Sequence, residues 1–335
     1  MANVILPPGW RDPGRGVTPE DVYWNRRRFL KATGTVLAGA AVGAYGIRGR
    51  LGAQTRPDGP LDTIPETPTA DLYPGMRNPD WAVDRPLTDR MVAATHNNFY
   101  EFMTDKGRVW EYTGDFEARP WTVEIMGEVE NPGVYDLADL EREIGLEERV
   151  YRLRCVEAWA MTVPWTGFPL HKLLAKAQPL SSGRYVRFVS FDRPEQAIGQ
   201  VAQPWYPWPY YEALRMDEAL HELTMVVTGI FGEPLPKQHG APVRIIVPWK
   251  YGYKSPKSVV RIAVTRAEPP IFWNDVQGDE YRFYSNVNPE VPHPRWSQAE
   301  EELIGEDRTV PTQLLNGYAE WTADLYDRDV LHSLS

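Results

Sequence analysis

Among 335 residues there is one cysteine, Cys155. A single thiol excludes an internal disulfide framework, a four-cysteine zinc site and the C-x-x-C-H attachment of a covalent haem. The six histidines are scattered, with no metal-ligand spacing. Long apolar runs are lacking too: the uncharged, Ala/Gly-rich stretch 32–46 has 15 residues, short of the ~20 that a membrane-spanning helix needs. Positive charge is in deficit, with 36 Lys/Arg against 46 Asp/Glu and a net charge of −10. Residues 1–53 carry +5, which leaves −15 for the remainder. So acidic a body argues against nucleic-acid binding, which wants clustered positive charge.

What is present begins ahead of the uncharged stretch. Asn25-Arg26-Arg27-Arg28-Phe29-Leu30-Lys31 is a twin-arginine signature. It predicts export to the periplasm through the twin-arginine translocon, with 1–53 as signal peptide and cleavage after Ala53; an N-terminal anchor is the alternative. That route carries folded cargo, often already loaded with a cofactor. Residues 54–94, rich in Pro, Asp and Thr without apolar periodicity, read as an extended arm. Residues 95–335 read as one globular body.

Within that body 121–127 alternates like a strand, and Asn131-Pro132-Gly133 reads as a turn. Asp136 is placed to cap a helix ending at Ile144, and Pro169 to open a helix over 170–177. Further strands are expected at 150–155, 185–191, 224–231, 243–247 and 259–264, the last two flanking the loop 248–257. Strands outnumber helices without regular alternation, which predicts an α+β fold with a mixed sheet. Cys155 falls at the end of a strand or just after it.

The lone thiol has four readings: an inert buried hydrophobe, an intermolecular disulfide partner, a nucleophile or a metal ligand. Arg152 and Arg154 precede it and favour the thiolate, while Trp159, Trp165 and Phe168 shield it. A cysteine protease needs a positioned histidine, and His171, the nearest, lies on an expected helix. Zinc needs more ligands than one cysteine brings. A single soft thiolate suits a metal that brings most of its own coordination sphere.

Two clusters of motifs then stand out. The first holds Asn97-Asn98-Phe99-Tyr100-Glu101-Phe102, Tyr151-Arg-Leu-Arg-Cys155-Val-Glu-Ala-Trp159 and Val163-Pro-Trp165-Thr-Gly-Phe-Pro-Leu-His171. The second holds Gly240-Ala-Pro-Val-Arg244-Ile-Ile-Val-Pro-Trp-Lys250-Tyr-Gly-Tyr-Lys254 and His293-Pro-Arg-Trp-Ser297. From about residue 90 onwards the chain resembles the molybdopterin-containing catalytic subunits of periplasmic protein-methionine-sulfoxide reductases, in the sulfite oxidase fold family. The resemblance implies one molybdenum–pyranopterin per chain, with Cys155 as the protein's metal ligand. It implies pterin contacts at Asn97, Tyr100 and Glu101, a phosphate-binding Arg244, and Lys257 with Ser255 and Pro256 alongside. His239 stands where some members have asparagine and Ser190 where some have threonine. Asn98 and Glu157 match residues near the metal, Glu157 as proton relay or as orienter of its neighbours. The chemistry agrees, because a buried phosphate wants an Arg fork and a Lys point charge, and Arg244, Lys250, Lys254 and Lys257 gather around one strand–loop–strand unit.

The implied reaction is reduction of methionine sulfoxide, free and in oxidised periplasmic proteins. Its electrons would come from a membrane haem b subunit drawing on quinone. The Pro-interrupted run Trp205, Tyr206, Trp208, Tyr210 and Tyr211 is either a rim for such a substrate or core. Two rivals are a sulfite-oxidase-like enzyme, which should gather arginines at its metal, and a non-enzymatic exported binding protein, which should hold no molybdenum.

Overall fold

A computed structural model describes residues 55–331. The twin-arginine segment and the cleavage point at Ala53 lie outside the described residues.

Thirteen strands among the described residues make two mixed sheets. The first contains β1 (Met76–Arg77), β4 (Glu147–Arg154), β5 (Trp159–Pro169), β8 (Met225–Ile230), β9 (Glu233–Pro234), β10 (Arg244–Ile246), β12 (Glu300–Leu303) and β13 (Arg308–Pro311). The second runs β3 (Gly133–Asp136), β2 (Thr122–Gly127), β11 (Val259–Thr265), β6 (Tyr185–Ser190), β7 (Tyr211–Arg215). The pairs β1–β4, β5–β12 and β2–β11 are parallel, and the rest are antiparallel. With helices packed around them, the class is α+β.

β5 is the centre of the first sheet. It pairs with β4, β8 and β12 and is buried along its whole length, which its Trp, Met, Val and Phe side chains allow. Gly167 lies where its register with β8 shifts; a Cβ there would sit 2.0 Å from Val226 O, so only glycine permits that approach.

The first three α-helices of the described residues are α1 (Arg90–Thr95), α2 (Leu137–Ile144) and α3 (Leu170–Ala177). Asp136 caps α2, its Oδ1 accepting from the Ala138 and Asp139 amides at 2.8 and 3.3 Å, a contact worth about 1 kcal/mol. α3 buries Leu170, Leu173, Leu174 and Ala177, the i, i+3, i+4, i+7 face of a helix; each leucine contributes roughly 1.5–3 kcal/mol. Residues 73–88 lie against the first sheet, with the Asn78 amide donating to Glu148 O and the Thr88 amide to Thr162 O, both at 2.8 Å. β1 adds to the edge of β4, and the Tyr73 hydroxyl meets the Glu141 carboxylate at 3.1 Å and Thr228 Oγ1 at 2.7 Å.

The expected strand pair around the loop 248–257 is resolved differently. β10 pairs with β8 in the first sheet, while β11 lies between β2 and β6 in the second. The loop therefore crosses between sheets, and an isolated bridge sets Arg244 beside Lys257. That crossing forms part of a cavity wall.

Candidate active site

The cavity has a volume of ≈ 950 Å³, open mouth included. Cys155 enters it from the turn between β4 and β5. The Cys155 amide donates to Trp159 O at 2.9 Å, the Ala158 amide donates to Cys155 O at 3.1 Å, and Ala158 takes φ +65°. The turn is braced from behind. Trp296 Nε1 and Gln298 Nε2 both donate to Val156 O at 2.7 Å, which explains the place of the His293–Ser297 motif near the thiol.

The Cys155 sulfur accepts from Asn98 Nδ2 at 3.3 Å and from the Glu157 amide at 3.4 Å. These donors suit a thiolate, but the two arginines expected to favour one do not face it. Arg154 spends its guanidinium on Glu301, on Gln298 and on the Cys155 carbonyl, and Arg152 reaches Gln313 and Asn316. Burial, with the Glu157 carboxylate second, pushes the thiol well above its ordinary range. Neither guanidinium donates to the sulfur, and the charge of Arg154 offsets only part of the burial, so a bound cation would favour the thiolate further.

Glu157 is clamped. Its Oε2 accepts from Asn98 Nδ2 at 3.0 Å and from Trp159 Nε1 at 3.4 Å, and its Oε1 lies 3.1 Å from Lys106 Nζ. Burial alone would raise its pKa, but these partners together hold it below the usual carboxylate range.

Asn97, Tyr100, Glu101, His239, Arg244 and Lys257 line the same cavity. Arg244 is 4 % exposed and stacks its guanidinium 5.0 Å over Trp165. Its NH1 and NH2 groups donate to His239 O at 2.9 Å and Ser255 O at 3.4 Å; no carboxylate pairs with it among the described residues. Burial lowers its pKa to about 9, so it is still a cation at neutral pH. Lys257 Nζ lies 5.3 Å over the Phe99 ring, and burial lowers its pKa, with Arg244 adding repulsion. Burial raises Glu101, with Lys257 opposing. His239, which sequence alone left able to switch near neutral pH, is buried beside two cations and lowered to about 3. It is a neutral imidazole.

Glycines fit this wall together. A Cβ on Gly240, whose φ is +97°, would meet Lys257 Cβ at 2.7 Å, and one on Gly199 would meet Tyr100 O at 2.1 Å.

Other expected residues stand behind the wall. Ser190 Oγ donates to Lys257 O at 2.7 Å, Ser255 Oγ accepts from the Val247 amide at 3.2 Å, and the Pro256 carbonyl accepts from Ile245 at 2.9 Å. They fix the backbone that presents Arg244 and Lys257. Lys250 and Lys254 leave the expected cationic cluster altogether. They close buried ion pairs with Glu218 at 2.6 Å and Glu212 at 2.8 Å. Lys250→Ala should therefore cost about 3–5 kcal/mol by stranding Glu218, read as a lower melting temperature, with pterin per folded molecule unchanged. Loss of pterin at an unchanged melting temperature would return Lys250 to the site.

Sequence reasoning missed His96, Tyr253, Trp273 and Tyr281 in the wall and Lys106 beside Glu157. Tyr253 lies inside the Gly240–Lys254 motif and could have been found there; the other four sit in no local pattern that marks them.

Four buried wall atoms, His96 Nε2, Asn98 Oδ1, Trp165 Nε1 and Arg244 Nε, have no partner. Together with an unneutralised Arg244 and one soft sulfur ligand, they fit a polar, phosphate-bearing group that carries a metal. The comparison with known families agrees: residues 111–273 match the oxidoreductase molybdopterin binding domain. Fold and site thus define a molybdopterin-binding oxidoreductase.

Among curated proteins, the chain is 46 % identical over 318 residues to the protein-methionine-sulfoxide reductase catalytic subunit MsrP of Burkholderia mallei, covering 94 % of this chain and 92 % of that protein. It is 43 % identical over 323 residues to its counterpart in Ralstonia nicotianae, covering 94 % and 93 %. The chain belongs to the family of protein-methionine-sulfoxide reductase catalytic subunits. A solved structure, the sulfane dehydrogenase SoxCD of Paracoccus pantotrophus, aligns with TM-score 0.39 at 18 % identity over 56 % of this chain and 55 % of that one.

Proposed function

We propose that this chain reduces methionine sulfoxide, free and protein-bound, to methionine: R–S(=O)–CH3 + 2 electrons + 2 protons → R–S–CH3 + H2O. The molybdenum–pterin supplies, when bound, a two-electron centre that can take up the sulfoxide oxygen. Cys155 would be its protein ligand, Arg244 and Lys257 would hold its phosphate, and Asn97, Tyr100, Glu101 and His239 would contact the pterin.

The chain's own part is to place the reacting groups and to donate hydrogen bonds to the substrate. Asn98 Nδ2 fixes the sulfur and the Glu157 carboxylate together, so Glu157 acts as orienter rather than as acid. The Tyr100 and Tyr281 phenols face the cavity and burial raises both, Tyr281 to about 12. They stay protonated at neutral pH and can donate a hydrogen bond to a sulfoxide oxygen. One observation carries the reading: a buried sulfur and a buried, carboxylate-free Arg244 share one cavity. The test is metal and pterin analysis of purified protein, followed by turnover of methionine sulfoxide with an artificial donor. Folded protein without molybdenum would sink it.

The oxyanion-oxidising alternative needs arginines at the metal, and Arg154, the nearest in sequence, is committed to Glu301 at 3.0 Å. Export and electron supply complete the proposal. A catalytic domain over 95–335, preceded by the arm 54–94 and a signal over 1–53, is delivered to the periplasm by the twin-arginine translocon. There a separate membrane haem b subunit feeds it from quinone. The relatives' description as a catalytic subunit supports a separate donor, and one cysteine rules out a covalent haem in this chain. Changing Arg26 and Arg27 to Lys should leave cofactor-loaded enzyme in the cytoplasm; normal export of that variant would refute the signal.

A further inference from the structure

We propose that the segment 203–211 is a docking ledge for the polypeptide flanking a methionine sulfoxide, with Trp205 its outer anchor; this rests on the sulfoxide-reductase reading above. Both ends of the segment are tied to the cavity. Gln203 Nε2 donates to the carbonyl of the wall residue Tyr100 at 2.7 Å, and Tyr210, itself in the wall, donates its hydroxyl to Tyr253 O at 2.7 Å. Rings continue outward from the wall: Tyr281 lies 5.4 Å from Trp273, Trp273 5.9 Å from Tyr206, and Tyr206 6.0 Å from Trp205.

The inner rings are held in place. Trp208 Nε1 donates to Gln203 O at 3.0 Å and its ring packs 5.4 Å from Phe272, while Pro204, Pro207 and Pro209 stiffen the backbone. Trp205 is 65 % exposed, the most exposed tryptophan among the described residues. Residues 196–211 carry no charge, in a body of net −15. An uncharged aromatic shelf running out of a catalytic cavity fits an extended, unstructured chain whose apolar flanks are bared by oxidation. It offers nothing to a small oxyanion. Rigid aromatic side chains supply contact area at little entropic cost, which makes Trp205 the position where truncation should be felt.

The test compares holoenzyme kinetics, with an artificial electron donor, on free methionine sulfoxide and on a flexible peptide bearing one methionine sulfoxide between apolar residues. Trp205→Ala should raise KM for the peptide by roughly five- to tenfold, leave its kcat unchanged, and leave both constants for the free amino acid unchanged. Trp205→Phe should recover most of the loss. Unchanged peptide kinetics in Trp205→Ala would overturn the ledge, as would parallel losses on both substrates. Wild-type enzyme inactive on both substrates would instead overturn the sulfoxide reading and take the ledge down with it.

Discussion

Cys155→Ser is expected to abolish sulfoxide reduction while leaving the fold in place. Serine is nearly isosteric, and the Asn98 amide and Glu157 N–H that meet the sulfur at 3.3 and 3.4 Å can meet a hydroxyl oxygen as well. The turn itself is held by backbone bonds and by Trp296 and Gln298, none of which involves the thiol. What changes is the donor: a soft, polarisable thiolate gives way to a hard oxygen whose proton is far harder to remove. An inert buried cysteine predicts the opposite pattern. Its replacement would cost about 1–3 kcal/mol as a buried hydroxyl, and turnover per folded molecule would persist. Molybdenum, pterin, melting temperature and turnover measured on one preparation separate the two. Substantial turnover by the well-folded variant would remove Cys155 from the metal and undo most of the functional reading.

Local physics made some of this architecture legible and hid the rest. The bounds of α2 and α3 follow from Asp136 as a cap and from the Leu170, Leu173, Leu174 stripe, and both helices end where those signals place them. β5, the central strand, was not legible. Pro164 and Gly167 interrupt its pattern, and the register shift that accommodates Gly167 depends on β8, some sixty residues further along the chain. The cationic cluster shows the same limit. Four cations near one loop look alike in sequence, but Glu212 and Glu218, from β7 and the helix after it, neutralise Lys254 and Lys250. Arg244 and Lys257 are left for the cavity. Arg154 is removed from the thiol by Glu301, 147 residues away. In each case the deciding partner is remote, so neighbouring residues record the chemistry available and the fold decides which part reaches the site.

Arg244 is the residue on which cofactor retention should depend most. Buried at 4 % exposure with no carboxylate partner among the described residues, it remains a cation at neutral pH, because even the lowered pKa of about 9 lies above it. Two backbone carbonyls and the Trp165 face hold the guanidinium, and Nε is unsatisfied. A phosphate would supply both the missing charge and the missing acceptor. Arg244→Ala should cost about 2–5 kcal/mol of binding, the range for stranding one member of a buried charge pair, or roughly thirtyfold or more in affinity. Arg244→Lys keeps the charge without the fork and should fall between. Lys257, set beside Arg244 by the bridge between their backbones, remains to hold a weakened phosphate, so partial loading is expected at saturating cofactor and clear loss at limiting cofactor. Stability gives a second readout. Removing the guanidinium relieves a desolvated charge but strands the His239 and Ser255 carbonyls, about 1–3 kcal/mol against it, so cofactor-free variant and parent should melt close together. Inorganic phosphate should raise the melting temperature of the cofactor-free parent and leave that of Arg244→Ala nearly unmoved. Full pterin occupancy in Arg244→Ala at limiting cofactor would assign the phosphate to another cation.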